Sequence, residues 1–231
     1  MVMNGWFMDG NSWPPSDVLR PVFVGFHVAP DSRDAIAKHA EYLKRYEPIG
    51  TRDVGTADFL NTLGIKTEVT YCMSLTFPRR IVEPAGGKVI IVDGDLIEVP
   101  STLRRRSIKV KHRVATVRNA TKLQYARDLV EFYRDHARLV ITTRLHCALP
   151  CIALGIPVVF FGDATDYRVG IVRDIGGIIY DKRLHRKGIL GKVAGRLESV
   201  DWSPQPVDTS RIRARLLAAV AMRLAALTTR S

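Results

Sequence analysis

Several special architectures are excluded by what this 231-residue sequence lacks. It has three cysteines, two of them four apart, which cannot build the disulfide framework of a small secreted domain. Glycine and proline together number 29, near the average, so collagen-like and low-complexity readings fail. The longest mostly apolar stretch near a terminus, around residues 216–227, is interrupted by Arg223 and is too short to cross a bilayer. The opening residues show no basic region leading into an apolar run, so no secretory leader is expected. No segment recurs at a fixed period. Acidic residues are the minority charge, 23 against 35 basic ones. These absences predict a globular protein of a reducing compartment, cytoplasmic, with an apolar fraction of 46% sufficient for a core.

What is present begins with a net charge of +12, carried by 25 arginines and only 10 lysines. The guanidinium fork grips phosphate and carboxylate in pairs, so an anionic partner fits the composition. Nucleic acid, an acidic membrane face and a phosphorylated metabolite stay open, as does a coding bias with no partner behind it. A dense basic run over 104–113 (Arg104, Arg105, Arg106, Lys109, Lys111, His112, Arg113) reads either as a solvated loop or as a contact for anionic headgroups or a pyrophosphate-linked glycan. It has no aromatic residue within it, which counts against nucleic acid.

Short β-branched runs alternate with helical spacing along the chain, the α/β pattern. Strands are predicted over 2–8, 22–28, 67–71, 89–92, 108–116, 139–142, 157–161 and 177–180. Helices are predicted over 34–46, 54–63, 122–136, 145–154, 189–197 and 210–227, with Gly64 and Gly155 as stops. A Pro/Gly-rich linker over 78–88 separates two sets of βα units. The expected organisation is an abbreviated N-terminal Rossmann-like lobe over 1–85 and a C-terminal one over 86–231 that ends in a packing helix. In such sheets ligands bind beyond the carboxyl ends of the strands.

Chemistry concentrates at two strand ends. At the first, the run Leu139-Val-Ile-Thr-Thr-Arg-Leu-His leaves a buried strand and enters a helix at once. Thr143 is expected to cap that helix, with Arg144 at its first position and His146 at its third, beside the free N–H groups of the helix start. Pro150 withholds an N–H from the carbonyl of His146 and loosens the helix there. At the second, Gly50-Thr-Arg-Asp places Asp53 to cap the next helix and leaves Arg52 for a ligand, although a plain capping or ion pair explains the same residues.

Thr142-Thr-Arg-Leu-His followed by Ala-Leu-Pro, with Gly155-Ile-Pro-Val-Val, resembles the C-terminal hallmark of the polysaccharide pyruvyl transferase family. Gly50-Thr-Arg-Asp with Thr56, Leu60 and Gly64-Ile resembles that family's N-lobe motif, and Asn4-Gly-Trp-Phe the opening of a subgroup. The resemblance implies an α/β fold of two Rossmann-like lobes resembling a GT-B glycosyltransferase, here with the N-terminal lobe abbreviated. It implies transfer of a pyruvyl group from phosphoenolpyruvate onto two hydroxyls of a saccharide as a ketal, in surface-polysaccharide biosynthesis. Arg52, Arg144, Leu145 and His146 would contact the donor. No metal or cofactor enters this scheme, phosphoenolpyruvate being a substrate. The partners would be the donor, a free or lipid-linked saccharide and, at the inner face of the membrane, anionic lipid, with no specific nucleic acid.

Other candidates have structural alternatives. His27 ends a strand and is either a cleft residue or a satisfied core histidine. Trp6 and Trp13, with Asn4, Asp9 and Asn11 between them, either stack on and bond a sugar or pack. Arg168 follows the strand at 157–161 beside Asp163 and Asp166, which could equally be caps. Cys72, Cys147 and Cys151 read as small core residues rather than metal ligands. The rival enzyme reading, a nucleotide-sugar glycosyltransferase of GT-B type, would need a glycine-rich phosphate loop or an acidic ribose clamp, and neither is visible. A non-catalytic relative that binds anions or saccharides is the second alternative.

Overall fold

A computed structural model describes residues 1–6, 13–112, 119–187 and 199–228. The chain divides into two compact units, Met1–Thr76 with Ser210–Ser231, and Phe77–Thr209. The predicted helix at 189–197 lies outside the described residues, as do Asp9, Asn11, Arg113 and the latter part of the strand expected over 108–116.

In the first unit four parallel strands lie in chain order: β1 (Val2–Gly5), β2 (Val22–Phe26), β3 (Ile49–Thr51) and β4 (Thr67–Val69). Between β2 and β3 the single helix expected over 34–46 is two short ones, α1 (Arg33–Lys38) and α2 (Ala40–Lys44). The break falls at His39, whose N–H reaches back only three residues, to the Ile36 carbonyl at 3.0 Å. Helix α3 (Val54–Thr62) ends as the sequence predicts. Gly64 takes φ +70°, and the Ile65 N–H returns to the Leu60 carbonyl.

Strand β2 is buried along its whole length, covered on both faces. Phe23 and Phe26 join Trp13, Ile36, Tyr42, Leu43, Ile49 and Leu60 in one core cluster. Val22 and Val24 meet Leu216 of the final helix in another. Strict alternation would put Phe23 and Phe26 on opposite faces. A bulge reconciles them: Met3 pairs with Phe23 but Gly5 with Phe26, so Val24 and Gly25 together oppose Asn4. Gly25 carries the slip with φ +67°. A Cβ there would come within 2.2 Å of Asn4 Oδ1 and 2.6 Å of the Tyr71 carbonyl. The final helix belongs to this unit, not to the second lobe. Its Arg213 donates to the Thr76 carbonyl at 3.0 Å and its Arg223 to Glu68 at 2.7 Å.

The second unit begins with the proline- and glycine-rich segment, which is tied down rather than free. The Arg80 N–H donates to the Leu154 carbonyl and its guanidinium to that of Ala137. The Arg79 guanidinium lies over Gly155, where a Cβ would come within 2.8 Å of its central carbon. The elements are then β5 (Lys88–Val92), α4 (Ser101–Arg105), β6 (Ser107–Val110), α5 (Asn119–His136), β7 (Ala137–Thr142), α6 (Leu145–Ala153), β8 (Val158–Gly162), α7 (Ile171–Asp174) and β9 (Ile179–Asp181). The last helix of the chain, α8, spans Ser210–Thr228. All five strands are parallel, in the order β6-β5-β7-β8-β9.

The central strands read as continuous apolar runs because both faces are covered. Val89, Ile91, Leu139 and Ile141 point into one core with Phe161 and Tyr180. Ile90, Val92 and Val140 point into the other with Tyr133, Cys147 and Cys151. The three cysteines are buried and form no disulfide, as core residues. Helix α5 buries Tyr133 but leaves Leu123 exposed. Among the described residues no helix is long and apolar enough to cross a membrane.

The bulge generates a stability prediction. Gly25→Ala puts a side chain on a left-handed residue against a fixed carbonyl and is expected to cost about 2–3 kcal/mol. Urea unfolding measures it; a variant as stable as the wild type would show that β2 does not need this geometry.

Candidate functional site

In a parallel sheet every strand delivers its carboxyl end to the same edge. In the second unit the order β6-β5-β7-β8-β9 adds a direction. From β5 the chain moves to one side to form β6, then crosses to the other side to form β7. The two crossovers diverge between β5 and β7, which opens a crevice beyond their carboxyl ends, the usual ligand position in such sheets.

The residues at that point are Asp93, directly after β5, and Thr143 and Arg144, directly after β7. Arg144 Nε donates to Asp93 Oδ2 at 2.6 Å, and the Thr143 hydroxyl donates to the Asp93 carbonyl at 3.0 Å. Thr143 is therefore not the helix cap that the sequence predicts. Arg144 itself occupies the cap position in extended conformation, with no capping side-chain bond. The hydroxyl of Thr142 accepts the Arg144 N–H at 3.0 Å, which turns the chain one residue later than expected. Leu145 and His146 are thus the first and second helical residues, not the second and third. Arg144 and His146 are exposed and Leu145 is half-buried. Pro150 lies inside α6 and withholds its bond from the His146 carbonyl, as the sequence indicates.

Arg144, Thr143 and Asp93 open onto a cavity of about 650 Å³ that is also lined by Asp95, Lys111, Lys182, Arg183 and Arg186. Five cations face two carboxylates there. Lys111 lies 3.6 Å from Asp95 and Arg183 is paired with Asp181 at 2.7 Å. Neither Lys182 nor Arg186 pairs with a carboxylate among the described residues. The cavity suits an anion. Sequence reading missed Asp93, Lys182, Arg183 and Arg186; the available signal was Asp-Gly immediately after a buried Val-Ile-Ile-Val run. Arg168 follows β8 but its Nε and Nη2 are both spent on Asp166, at 2.8 and 2.6 Å.

The first unit gathers its own set beyond β2 and β3. Asp53 caps α3 as predicted, Oδ1 accepting the Thr56 N–H at 2.9 Å. Its Oδ2 lies 2.8 Å from His27 Nδ1 and takes Arg52 Nε at 3.3 Å. The Thr56 hydroxyl lies 3.3 Å from the same ring nitrogen and accepts the Val28 N–H. All four residues are buried, Arg52 included at 5% exposure. Burial works to raise the Asp53 carboxyl, but hydrogen bonds from His27 and Thr56 and the imidazole charge outweigh it and hold it below the ordinary 3.8.

The expected sugar platform is not formed as a pair. Trp6 is 48% exposed, its indole N–H on Ser32 at 3.2 Å, whereas Trp13 is buried against Phe26 with ring centroids 5.5 Å apart. Asn4 is structural on its carbonyl side: Oδ1 accepts the Met73 N–H at 3.0 Å.

Fold and sites together define a protein of two parallel, Rossmann-like α/β units with a cationic crevice at the switch point of the second. The chain belongs to the polysaccharide pyruvyl transferase family, whose model matches residues 19–164. That span holds His27, Arg52, Asp53 and the Thr143–His146 turn, while Asn4, Trp6 and Arg168 lie outside it. No curated protein and no solved structure matches the chain. The family is one of transferases acting on polysaccharides.

The depressed Asp53 pKa sets a pH dependence. Its stabilisation is complete above the ordinary carboxylate value and is lost as pH falls through the lowered one. Asp53→Asn removes that titration. It is expected to lower stability at neutral pH by about 1–3 kcal/mol and to flatten the acid limb. Urea unfolding from about pH 7 down to about pH 2 tests this, and parallel curves for the two proteins would overturn it.

Proposed function

We propose that the protein transfers a pyruvyl group from phosphoenolpyruvate to two hydroxyls of a saccharide, forming a pyruvate ketal. The observation that carries this reading is Arg144 at the β5/β7 crevice, in a cavity where cations outnumber carboxylates. The donor presents a phosphate and a carboxylate, and guanidinium forks suit both. Arg144 is assigned to the donor, with the N–H groups of Leu145 and His146 facing the charge that builds on phosphate. Arg52 is assigned the anion contact of the first unit, oriented by Asp53 and His27. Trp6, exposed at the end of β1, is the aromatic surface offered there to a saccharide.

The reaction balances without a redox step. A proton goes to the methylene carbon of the donor and one sugar hydroxyl adds to the central carbon, releasing its own proton. The bond to phosphate then breaks, and a second hydroxyl adds to the same carbon with loss of its proton. Inorganic phosphate leaves with the remaining proton. His146, exposed on the first turn of α6, is assigned the proton transfers, a role that side chains of its type commonly take.

The run at 104–106 is assigned no part in the chemistry. Arg105 and Arg106 precede β6 and so lie toward the amino edge of the sheet, whereas Arg144 follows β7 at the carboxyl edge. Neutralising both is expected to weaken binding to vesicles of anionic phospholipid while sparing turnover on a soluble acceptor. Loss of that turnover would place the run in the active site.

Arg144 and His146 are expected to fail differently. Arg144→Ala weakens donor binding by about 1.5–3 kcal/mol, the worth of a charge-assisted bond. His146→Asn leaves donor affinity within a few fold and cuts turnover on the order of 10²–10⁴. Phosphate release from phosphoenolpyruvate across a panel of free and lipid-linked saccharides reads both. Nucleotide release from a nucleotide sugar, without phosphate release, would replace this function by glycosyl transfer.

A further inference from the structure

Asp93 ties together the ends of three neighbouring strands. Its N–H donates to the carbonyl of Val110, the last residue of β6, at 3.1 Å. Its carbonyl accepts the Thr143 hydroxyl after β7, and its carboxylate takes Arg144 Nε. To do so it holds φ at +48°, in the left-handed region where most side chains are strained and Asp is among the tolerated few. Its side chain is 13% exposed and that of Arg144 is 51% exposed, so a sheltered anchor grips a cation that reaches into the cavity.

We infer that Asp93 is the positioning residue of the anion site: it fixes the guanidinium of Arg144 by occupying Nε and leaves the two terminal amino groups to receive an anion end-on. A free arginine side chain has many rotamers, and ordering it would otherwise fall on ligand binding. Asp95, the other carboxylate of the cavity, does not share this work, since it faces Lys111. The inference deepens the donor assignment above and rests on it for the identity of the anion, though not for the hold on Arg144.

Two substitutions separate the carboxylate from the backbone it sits on. Asp93→Gly adopts a left-handed φ without strain, so the strand ends keep their course, but it releases Arg144. Asp93→Asn tolerates the same φ and keeps an oxygen to accept the Nε proton. We expect the Gly variant to raise the KM for phosphoenolpyruvate on the order of tenfold, with kcat changed far less, and the Asn variant to stay near wild type. The Arg144 Nε–H signal in proton–nitrogen NMR, assigned with Arg144→Ala, should be protected from exchange in wild type and Asn and lost in Gly. A protected signal in Gly would overturn the inference. So would an unchanged KM in Gly where Arg144→Ala raises it. If the signal is lost in Gly while neither Gly nor Arg144→Ala moves the KM, the hold on Arg144 stands and phosphoenolpyruvate as its ligand falls.

Discussion

Strand β5 is hydrogen-bonded along both edges, to β6 on one side and β7 on the other, and the functional geometry of the second unit follows from that double pairing. A strand with neighbours on both sides cannot choose its register freely, and its buried faces leave no room for slippage. Val92 is paired with both Val110 and Thr142, so the residues that follow those three are forced to be neighbours. Asp93, Thr143 and Arg144 meet because the ladder stops there, with no long-range search by their side chains.

The two units use charge in opposite ways. In the first, His27 and Arg52 are buried and each holds the buried Asp53 carboxylate through one nitrogen, an arrangement that is costly to open and sensitive to loss of any one member. In the second, an excess of cations faces an open cavity, so that charge is available to whatever enters. Rigid polar support and unsatisfied positive potential are different resources.

Much of this was legible in residue order. The strand-to-helix passage through Thr142–His146, the cap at Asp53 and the stops at Gly64 and Gly155 are local, set by propensity and hydrogen bonds within a few residues. What escaped depends on partners distant in sequence. Asp93 is an ordinary turn residue until β5 and β7 pair, 50 positions apart. Trp13 looks like a sugar platform until Phe23 and Phe26 close over it, and that closure depends on the slip at Gly25. The cap at Arg144 was misplaced by one residue because two threonines stand in a row. Sequence cannot say which of their hydroxyls turns back to the chain and which is taken by Asp93.

The return of α8 to the first unit has a consequence for synthesis. The second unit is one unbroken stretch, Phe77–Thr209, and all its described strands are synthesised before α8. The first unit is begun first and finished last: until Leu216 and Val220 are made, only Tyr71 and Met73 of that cluster stand against Val22 and Val24. Domains usually mature from the amino end during translation, whereas here the amino-terminal unit is the one whose last residues are made last. A released chain ending short of residue 210 would hold the whole second unit but a first unit with an incompletely covered apolar flank, the kind of surface that chaperones hold.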